Sequence, residues 1–271
     1  MKQSALDVLA CPSCHGELIL QGEPAEQVLH GTLFCPHCRR EFPVEQGIPH
    51  FIRPGELSGL NRRFSRLYDW FSYVYAPVIK LTFMLLMGSE RKARMEILDR
   101  LEWTGGRLLE ISIGPGVNLP YLYELAPAGE VYGLDISPGQ LRRCRRFAQT
   151  HNYPVDLFLA SAEALPFRAD SFDSILHVGG INFFSDKKRA LEEMVRVARP
   201  GARIVVADET EQVAELYDRM PGFSRAEGSG KAETAAPVSL LPPGMQEVDV
   251  RGIWRAHGQY HGWCLEFRKP Q

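Results

Sequence analysis

The chain carries no surplus of either charge: 31 lysines and arginines stand against 33 aspartates and glutamates, a net −2 over 271 residues. That balance argues against a protein that is one broad nucleic-acid-binding surface, while leaving room for a local basic patch. No apolar run is long enough to span a bilayer; the most apolar stretch, residues 78–87, ends after 10 residues. No segment joins a basic start, an apolar core and a small-residue cleavage site, so the sequence predicts a cytoplasmic protein rather than a secreted one. Cysteine is scarce outside one cluster, with Cys144 and Cys264 far from it and from each other.

The cluster consists of Cys11-Pro12-Ser13-Cys14 and Cys35-Pro36-His37-Cys38, two C-x2-C pairs with 20 residues between them. At that spacing two turns each present a thiolate pair to one tetrahedral ion, so Cys11, Cys14, Cys35 and Cys38 are the predicted metal ligands. His15 and His37 are superfluous once four thiolates are present. Gly16, with the small or basic residues after each pair, suits tight turns whose amides can point at the sulfurs. A segment of about 50 residues has little core of its own, so the ion's expected role is structural.

A second stretch organises the rest. Leu108-Leu109-Glu110-Ile111-Ser112-Ile113-Gly114-Pro115-Gly116-Val117-Asn118 is an apolar run that breaks at a Gly-Pro-Gly turn and then becomes helical over Leu119–Leu125. Gly114 and Gly116 let the backbone turn tightly and let a ligand approach with no Cβ in the way. The next strand ends at Asp135, 19 residues beyond Gly116, where an acceptor for ribose hydroxyls is expected. A dinucleotide fingerprint would put a third glycine at position 119, which is Leu119, so pyrophosphate is disfavoured. Glu110 at the strand end would repel phosphate and suits a cationic or amino-bearing ligand. S-adenosylmethionine, with ribose, ammonium and sulfonium, fits both acids.

Four blocks then carry a resemblance to the class I S-adenosylmethionine-dependent methyltransferases over roughly residues 107–270. They are Leu109-Glu110-Ile111-Ser112-Ile113-Gly114-Pro115-Gly116; Gly133-Leu134-Asp135-Ile136-Ser137; Ala160-Ser161-Ala162-Glu163-Ala164-Leu165-Pro166-Phe167 with Phe172-Asp173; and Ala198-Arg199-Pro200-Gly201-Ala202-Arg203-Ile204. Their order and spacing resemble the branch containing the quinone C-methyltransferases. The resemblance implies an α/β fold with a doubly wound, mostly parallel, seven-stranded Rossmann-like sheet. It implies cofactor contacts at Glu110, Ser112, Gly114, Gly116, Asp135, Ile136, Ser161 and Ala162, and at Tyr68, where related enzymes have a Tyr-Asp pair. The chain departs from the family at Ser112, usually glycine, and at Ser161, usually an acid that meets the adenine amino group. A domain that has lost its cofactor and serves as a noncatalytic interaction protein is the reading those departures leave open. Residues 6–52, from the Leu9-Ala10-Cys11-Pro12 opening to Gly47-Ile48-Pro49, resemble the small zinc-binding activators that partner RNA- and protein-modifying methyltransferases. Beside methyl transfer a redox centre has no evident role, so zinc is favoured over iron.

The expected organisation is a zinc-binding domain at 1–54, a helical connector or lid at 55–104 and a methyltransferase domain at 105–271. In the connector, Phe64, Leu67, Tyr68 and Phe71 recur at helical spacing, and residues 78–87 form a helix apolar nearly all round. That helix is expected to pack as a lid, to line an apolar pocket or to touch a membrane surface peripherally. Strands are expected at Val155–Leu159, 174–178 and 204–208, a helix at 186–198, and a final antiparallel pair at 246–254 and 260–268. Residues 221–244 look mobile, and His257 and His261 are expected as solvated loop histidines. The fourth strand ends His177-Val178-Gly179-Gly180, not the Asn/Asp-Pro-Pro-aromatic motif that planar amine substrates need. No cysteine stands in these motifs, which argues against a covalent pyrimidine C5 mechanism. His177, the only titratable side chain there, is the catalytic candidate, either as general base or by orienting the cofactor's methionine end through its backbone. For the acceptor, an apolar small molecule, quinone-like or lipid-like, is preferred to RNA or protein recognised through the zinc domain. Arg142, Arg143, Arg145 and Arg146 are the feature of the larger domain that favours RNA.

Overall fold

A computed structural model of the chain describes residues 1–22, 25–52, 89–210 and 235–271, with Phe183 by its backbone alone. The N-terminal segment opens with a 3-10 turn, Gln3–Val8, and forms a four-stranded antiparallel meander of β1 (Ile19–Gln21), β2 (Gly31–Phe34), β3 (Glu41–Glu45) and β4 (Ile48–Pro49). Glu45 pairs with Ile48 across a two-residue loop, Gln46-Gly47, with φ of 51° and 80°. Positive φ at both loop positions is the geometry whose twist matches the flanking strands.

The larger sheet has seven strands: β5 (Arg107–Ile111), β6 (Glu130–Asp135), β7 (Val155–Leu159), β8 (Phe172–Val178), β9 (Ala198–Glu209), β10 (Gln246–Ala256) and β11 (Gln259–Arg268). Their order is β10-β11-β9-β8-β5-β6-β7, with β5 through β9 parallel and β11 antiparallel to both β9 and β10. Chain order reverses at β5, with β6 on one side and β8 on the other, and the crevice at the strand C-termini opens there. Among the described residues, four helices accompany the sheet: α1 (Glu90–Leu98), α2 (Leu119–Leu125), α3 (Pro138–His151) and α4 (Lys187–Val197). Ser137 caps α3, its Oγ accepting from the Gln140 amide at 3.2 Å with Pro138 at the first helical position, and Asp186 caps α4. Local chemistry thus fixes where each begins.

Strand alternation sorts the core into two layers. Leu108, Val131, Leu157, Leu176 and Val205 face α1, α2 and α3, while Leu109, Tyr132, Phe158, Ile175 and Val206 face α4 and the N-terminal module. The module is part of the second layer: Leu9, Leu33, Phe42 and Phe51 are buried in one cluster with Phe158, Phe167 and Phe172. It also continues the backbone hydrogen bonding of the large sheet. The Phe51 amide donates to Leu159 O at 2.8 Å beside β7, the Ala10 amide to Pro166 O at 3.0 Å, and the Arg168 amide to Val8 O at 2.8 Å. The otherwise open edge at β7 is covered in this way.

The helices and strands stand within a few residues of the expected positions, and α2 and β7 coincide with them. β9 is longer than expected because Ala198 already pairs with Phe172. The expected connector helices, with Tyr68 and the apolar residues 78–87, lie outside the described residues, as do residues 221–234 of the expected mobile stretch. Within the remainder of that stretch, Val238–Leu240 is a 3-10 turn. No described helix is long and apolar enough to cross a membrane.

Candidate functional site

The two cysteine turns are built alike. In the first, the Cys11 amide donates to Gly16 O at 2.9 Å and the His15 amide to Cys11 O at 2.8 Å; in the second, the Cys35 amide donates to Arg40 O at 2.9 Å and the Arg39 amide to Cys35 O at 2.8 Å. His15 and Arg39, each just after the second cysteine of its pair, take φ of 56° and 60°. These turns aim amides at sulfur: those of Ser13 and Cys14 at Cys11, that of Gly16 at Cys14, and that of Arg40 at Cys38. The Arg40 amide holds the Cys38 thiol down at about 7, while burial pushes the Cys11 thiol up to about 12. All four sulfurs lie within 4.8 Å of one another, with Cys11–Cys38 and Cys14–Cys35 at 3.5 Å. Sulfurs about 2.3 Å from a shared tetrahedral ion have that mutual spacing. The donor set fits one metal ion.

At the crevice, β5 runs into Ser112, Gly114 and Gly116 with φ of 59°, 56° and 82°. A left-handed serine costs on the order of 1 kcal/mol that glycine would not, which gives position 112 a steric reason to favour glycine. The two glycines differ in purpose. A Cβ on Gly116 would meet Cys144 Sγ at 2.8 Å and Leu119 Cδ1 at 3.0 Å, whereas one on Gly114 meets nothing closer than Ser112 O at 3.9 Å. Gly116 therefore lets α2 and α3 close on the turn, and Gly114 leaves its face open. Asp135, ending β6, bridges the two turns: Oδ2 accepts from the Gly114 amide at 3.0 Å and Oδ1 from the Ser137 amide at 2.9 Å.

Glu110 is buried inside β5. Its Oε1 accepts from Asn118 Nδ2 at 2.7 Å, Asn118 Oδ1 accepts from Arg94 at 2.7 Å, and Arg94 in turn reaches Glu90 at 2.9 Å. Glu110 Oε2 is buried with no partner among the described residues, and burial raises this carboxyl from 4.5 to about 7. His177, fully buried at the end of β8, places Nδ1 3.1 Å from Ile111 O. Its Nε2 has no partner among the described residues, its ring lies 5.1 Å from that of Phe184, and burial lowers it from 6.5 to about 4. It is a neutral imidazole at pH 7.

With this geometry in place, comparison with known proteins narrows the reading. The family described as methyltransferase domain matches residues 109–206, and the family described as Trm112p-like protein matches residues 2–47. The ubiquinone/menaquinone biosynthesis C-methyltransferase of Geobacter sulfurreducens is 30% identical over 168 residues, 60% of this chain and 66% of that protein. The one of Hahella chejuensis is 31% identical over 167 residues, 59% of this chain and 67% of that protein. The chain belongs to the S-adenosylmethionine-dependent methyltransferases. It thus spans about two thirds of the length of these curated relatives. Among solved structures, a chain from the complex between the Haloferax volcanii Trm112 methyltransferase activator and a methyltransferase overlays with TM-score 0.57 at 16% identity, covering 75% of this chain and 98% of that one. At that identity the overlay speaks for the fold.

The crevice gathers Glu110, Ser112, Gly114, Gly116, Asp135 and Ile136 at the ends of β5 and β6. Ser161 and Ala162 lie on the loop after β7, where Ser161 Oγ accepts from the Glu163 amide at 3.2 Å. No sequence pattern singles out Asn118 and Arg94; only a carboxylate buried beside them gives them a task. Asp208 was likewise passed over: it is buried at the end of β9, its oxygens taking the Asn182 amide at 3.2 Å and the Glu209 amide at 2.8 Å. His257 is exposed, as expected, but His261 is not a solvated loop histidine. It lies in β11, half-buried, with Nε2 sealed from solvent and unpartnered, because β11 begins at Gln259 and carries it into the sheet. Arg145, one of the four helix arginines, donates to Gln46 O at 2.6 Å and so ties α3 to the N-terminal module.

Proposed function

We propose that this chain transfers a methyl group from S-adenosylmethionine to an apolar small molecule, quinone-like or lipid-like. The observation that carries the reading is the convergence at the strand C-termini. Asp135 steadies the Gly114 turn at the end of β6, where an acceptor for ribose hydroxyls is expected, and the buried Glu110 offers an oxygen unpaired among the described residues for the cationic methionine end. Gly114 gives the ligand backbone access, and Ile136, Ser161 and Ala162 stand on the adenine side. The cofactor supplies an electrophilic sulfonium methyl. The protein then has to hold an acceptor atom about 3 Å away in line and exclude water. His177 is a positioning residue in this scheme. An imidazole held at about 4 is a weak base at pH 7, and its Nδ1–H tethers β8 to the end of β5, directly beside Ser112.

The four thiolates hold one structural zinc, with the amides of both turns stabilising thiolate charge. The second reading, an RNA or protein acceptor recognised through the zinc module, is favoured by the Trm112p-like match. Against it stand the missing planar-amine motif after β8 and Arg145, which is engaged within the chain.

Calorimetry with S-adenosylmethionine on wild type and Asp135→Ala tests the cofactor site. Loss of at least tenfold in affinity is expected, equal affinities remove Asp135, and no binding in either points to a noncatalytic interaction protein. Label from methyl-labelled cofactor appearing in total RNA and not in a quinone-rich lipid extract would refute the acceptor class.

A further inference from the structure

Three buried polar atoms without a hydrogen-bond partner among the described residues, Thr210 Oγ1, His261 Nε2 and Trp263 Nε1, share one corner of the large sheet. There β9 and β11 pair antiparallel, with Trp263 opposite Asp208, and the Thr210 amide donates to His261 O at 3.0 Å. Side chains alternate along strands, so Asp208 and Thr210 rise from the same face as His261 and Trp263. They form two cross-strand pairs whose Cβ atoms are about 5 Å apart. It is the face on which Val206, Leu265 and α4 pack. A buried polar atom left unpaired is costly, and three on one patch need a common explanation.

Position supplies one. In the order β11-β9-β8-β5-β6 the patch lies two to three strands from β5, on the side away from Asp135. At about 4.8 Å per strand that is roughly 10–15 Å. A molecule bound with its ribose at β6 and its reactive methyl near β5 and β8 would present that methyl toward this corner. Gly179 and Gly180 follow β8 on that path, and an added Cβ at either would meet no described atom within 4 Å. Beneath it, Asp208 is satisfied by backbone amides of Gly180, Asn182 and Glu209.

The chemistry of the three groups restricts what fits. An indole N–H only donates, so Trp263 requires an oxygen acceptor, while Thr210 and His261 can donate or accept. Burial raises the Asp208 carboxyl more than its amide donors and the nearby Lys187 lower it, so a carboxylate or phosphate beside it is disfavoured. We infer that Thr210, His261 and Trp263 form the polar end of the acceptor site and bind a neutral hydroxyl or keto oxygen on an otherwise apolar molecule. This rests on the methyl-transfer reading above and assigns its acceptor subsite.

The test uses a pair of probes alike in shape, 1-naphthol and 1-methylnaphthalene, titrated into the full chain with S-adenosylhomocysteine present. Wild type should prefer the naphthol by about tenfold or more, and Thr210→Val, His261→Leu and Trp263→Phe should each lower that preference several-fold while leaving S-adenosylmethionine affinity within about twofold. Trp263→Phe keeps an aromatic ring in the core and guards against a variant that merely fails to fold. Absence of a preference in wild type, or a preference untouched by all three substitutions, overturns the assignment. Failure of wild type to bind S-adenosylmethionine would refute the methyl-transfer reading separately, since the cofactor titration is independent of the probes.

Discussion

Glu110→Gln should make the protein more stable and the cofactor site worse. The carboxyl is 2% exposed, and its folded-state value rises from 4.5 to about 7 through burial, only partly offset by the Asn118 hydrogen bond. A shift of about 2.5 units corresponds to roughly 3 kcal/mol. The sign follows from proton binding. Between pH 4.5 and about 7 the folded state holds a proton that the unfolded state has released, so stability falls as pH rises through this window and stays lowered above it. Glutamine keeps an oxygen for Asn118 Nδ2 and removes the charge, so at pH 8 the variant should gain on the order of 2–3 kcal/mol, or about 5 °C in melting temperature. Calorimetry should show the opposite for function. Wild-type affinity for S-adenosylmethionine should weaken about eightfold from roughly pH 7.5 to pH 6 as Glu110 takes up a proton, and Glu110→Gln should bind weakly with no such dependence. A variant that melts at or below wild type at pH 8, or binds as well as wild type, refutes the reasoning.

The two turn glycines should separate. Gly116→Ala, at φ 82° with Cys144 Sγ 2.8 Å from the new Cβ, should cost about 2 kcal/mol or more in denaturant melts. Gly114→Ala, with open space around its Cβ, should cost about 1 kcal/mol from strain alone and show its main effect on cofactor affinity. Chelation of the metal, or Cys35→Ser, should lower the melting temperature of the whole chain in one transition, because Leu9 and Phe51 share a core with Phe158 and Phe167. Two separate transitions with cofactor binding intact would contradict this, as would metal analysis that finds no ion. Burial holds His177 at about 4 against 6.5 when unfolded, so the folded state binds fewer protons between those values. The stability of wild type relative to His177→Asn should therefore decline by roughly 3 kcal/mol as pH falls from 6.5 to 4, and parallel pH profiles would remove that assignment.

What the sequence by itself determined rests on interactions between near neighbours. Cys-Pro-x-Cys fixes a knuckle whose hydrogen bonds close within six residues, Ser137-Pro138 starts a helix, and Gly-Pro-Gly ends a strand, so the two cysteine turns, α3 and the turn after β5 are all legible. The place of Asp135 at the end of β6 is legible too, since its distance from Gly116 is set by one helix and one strand. Tertiary structure decided everything that depends on what surrounds a side chain. Glu110 was read as an acid near a cation, but its elevated basicity and its relay through Asn118 and Arg94 arise from burial between elements that sequence spacing does not relate. The N-terminal module read as a separate unit, because a short segment with four thiolates carries no signal that its Ala10 and Phe51 amides will complete the edge at β7. His261 read as a solvated turn residue for the same reason. Periodicity places it on a strand end, and only the pairing of β11 with β9 sets it beside Thr210, in a patch where three side-chain atoms have no partner among the described residues.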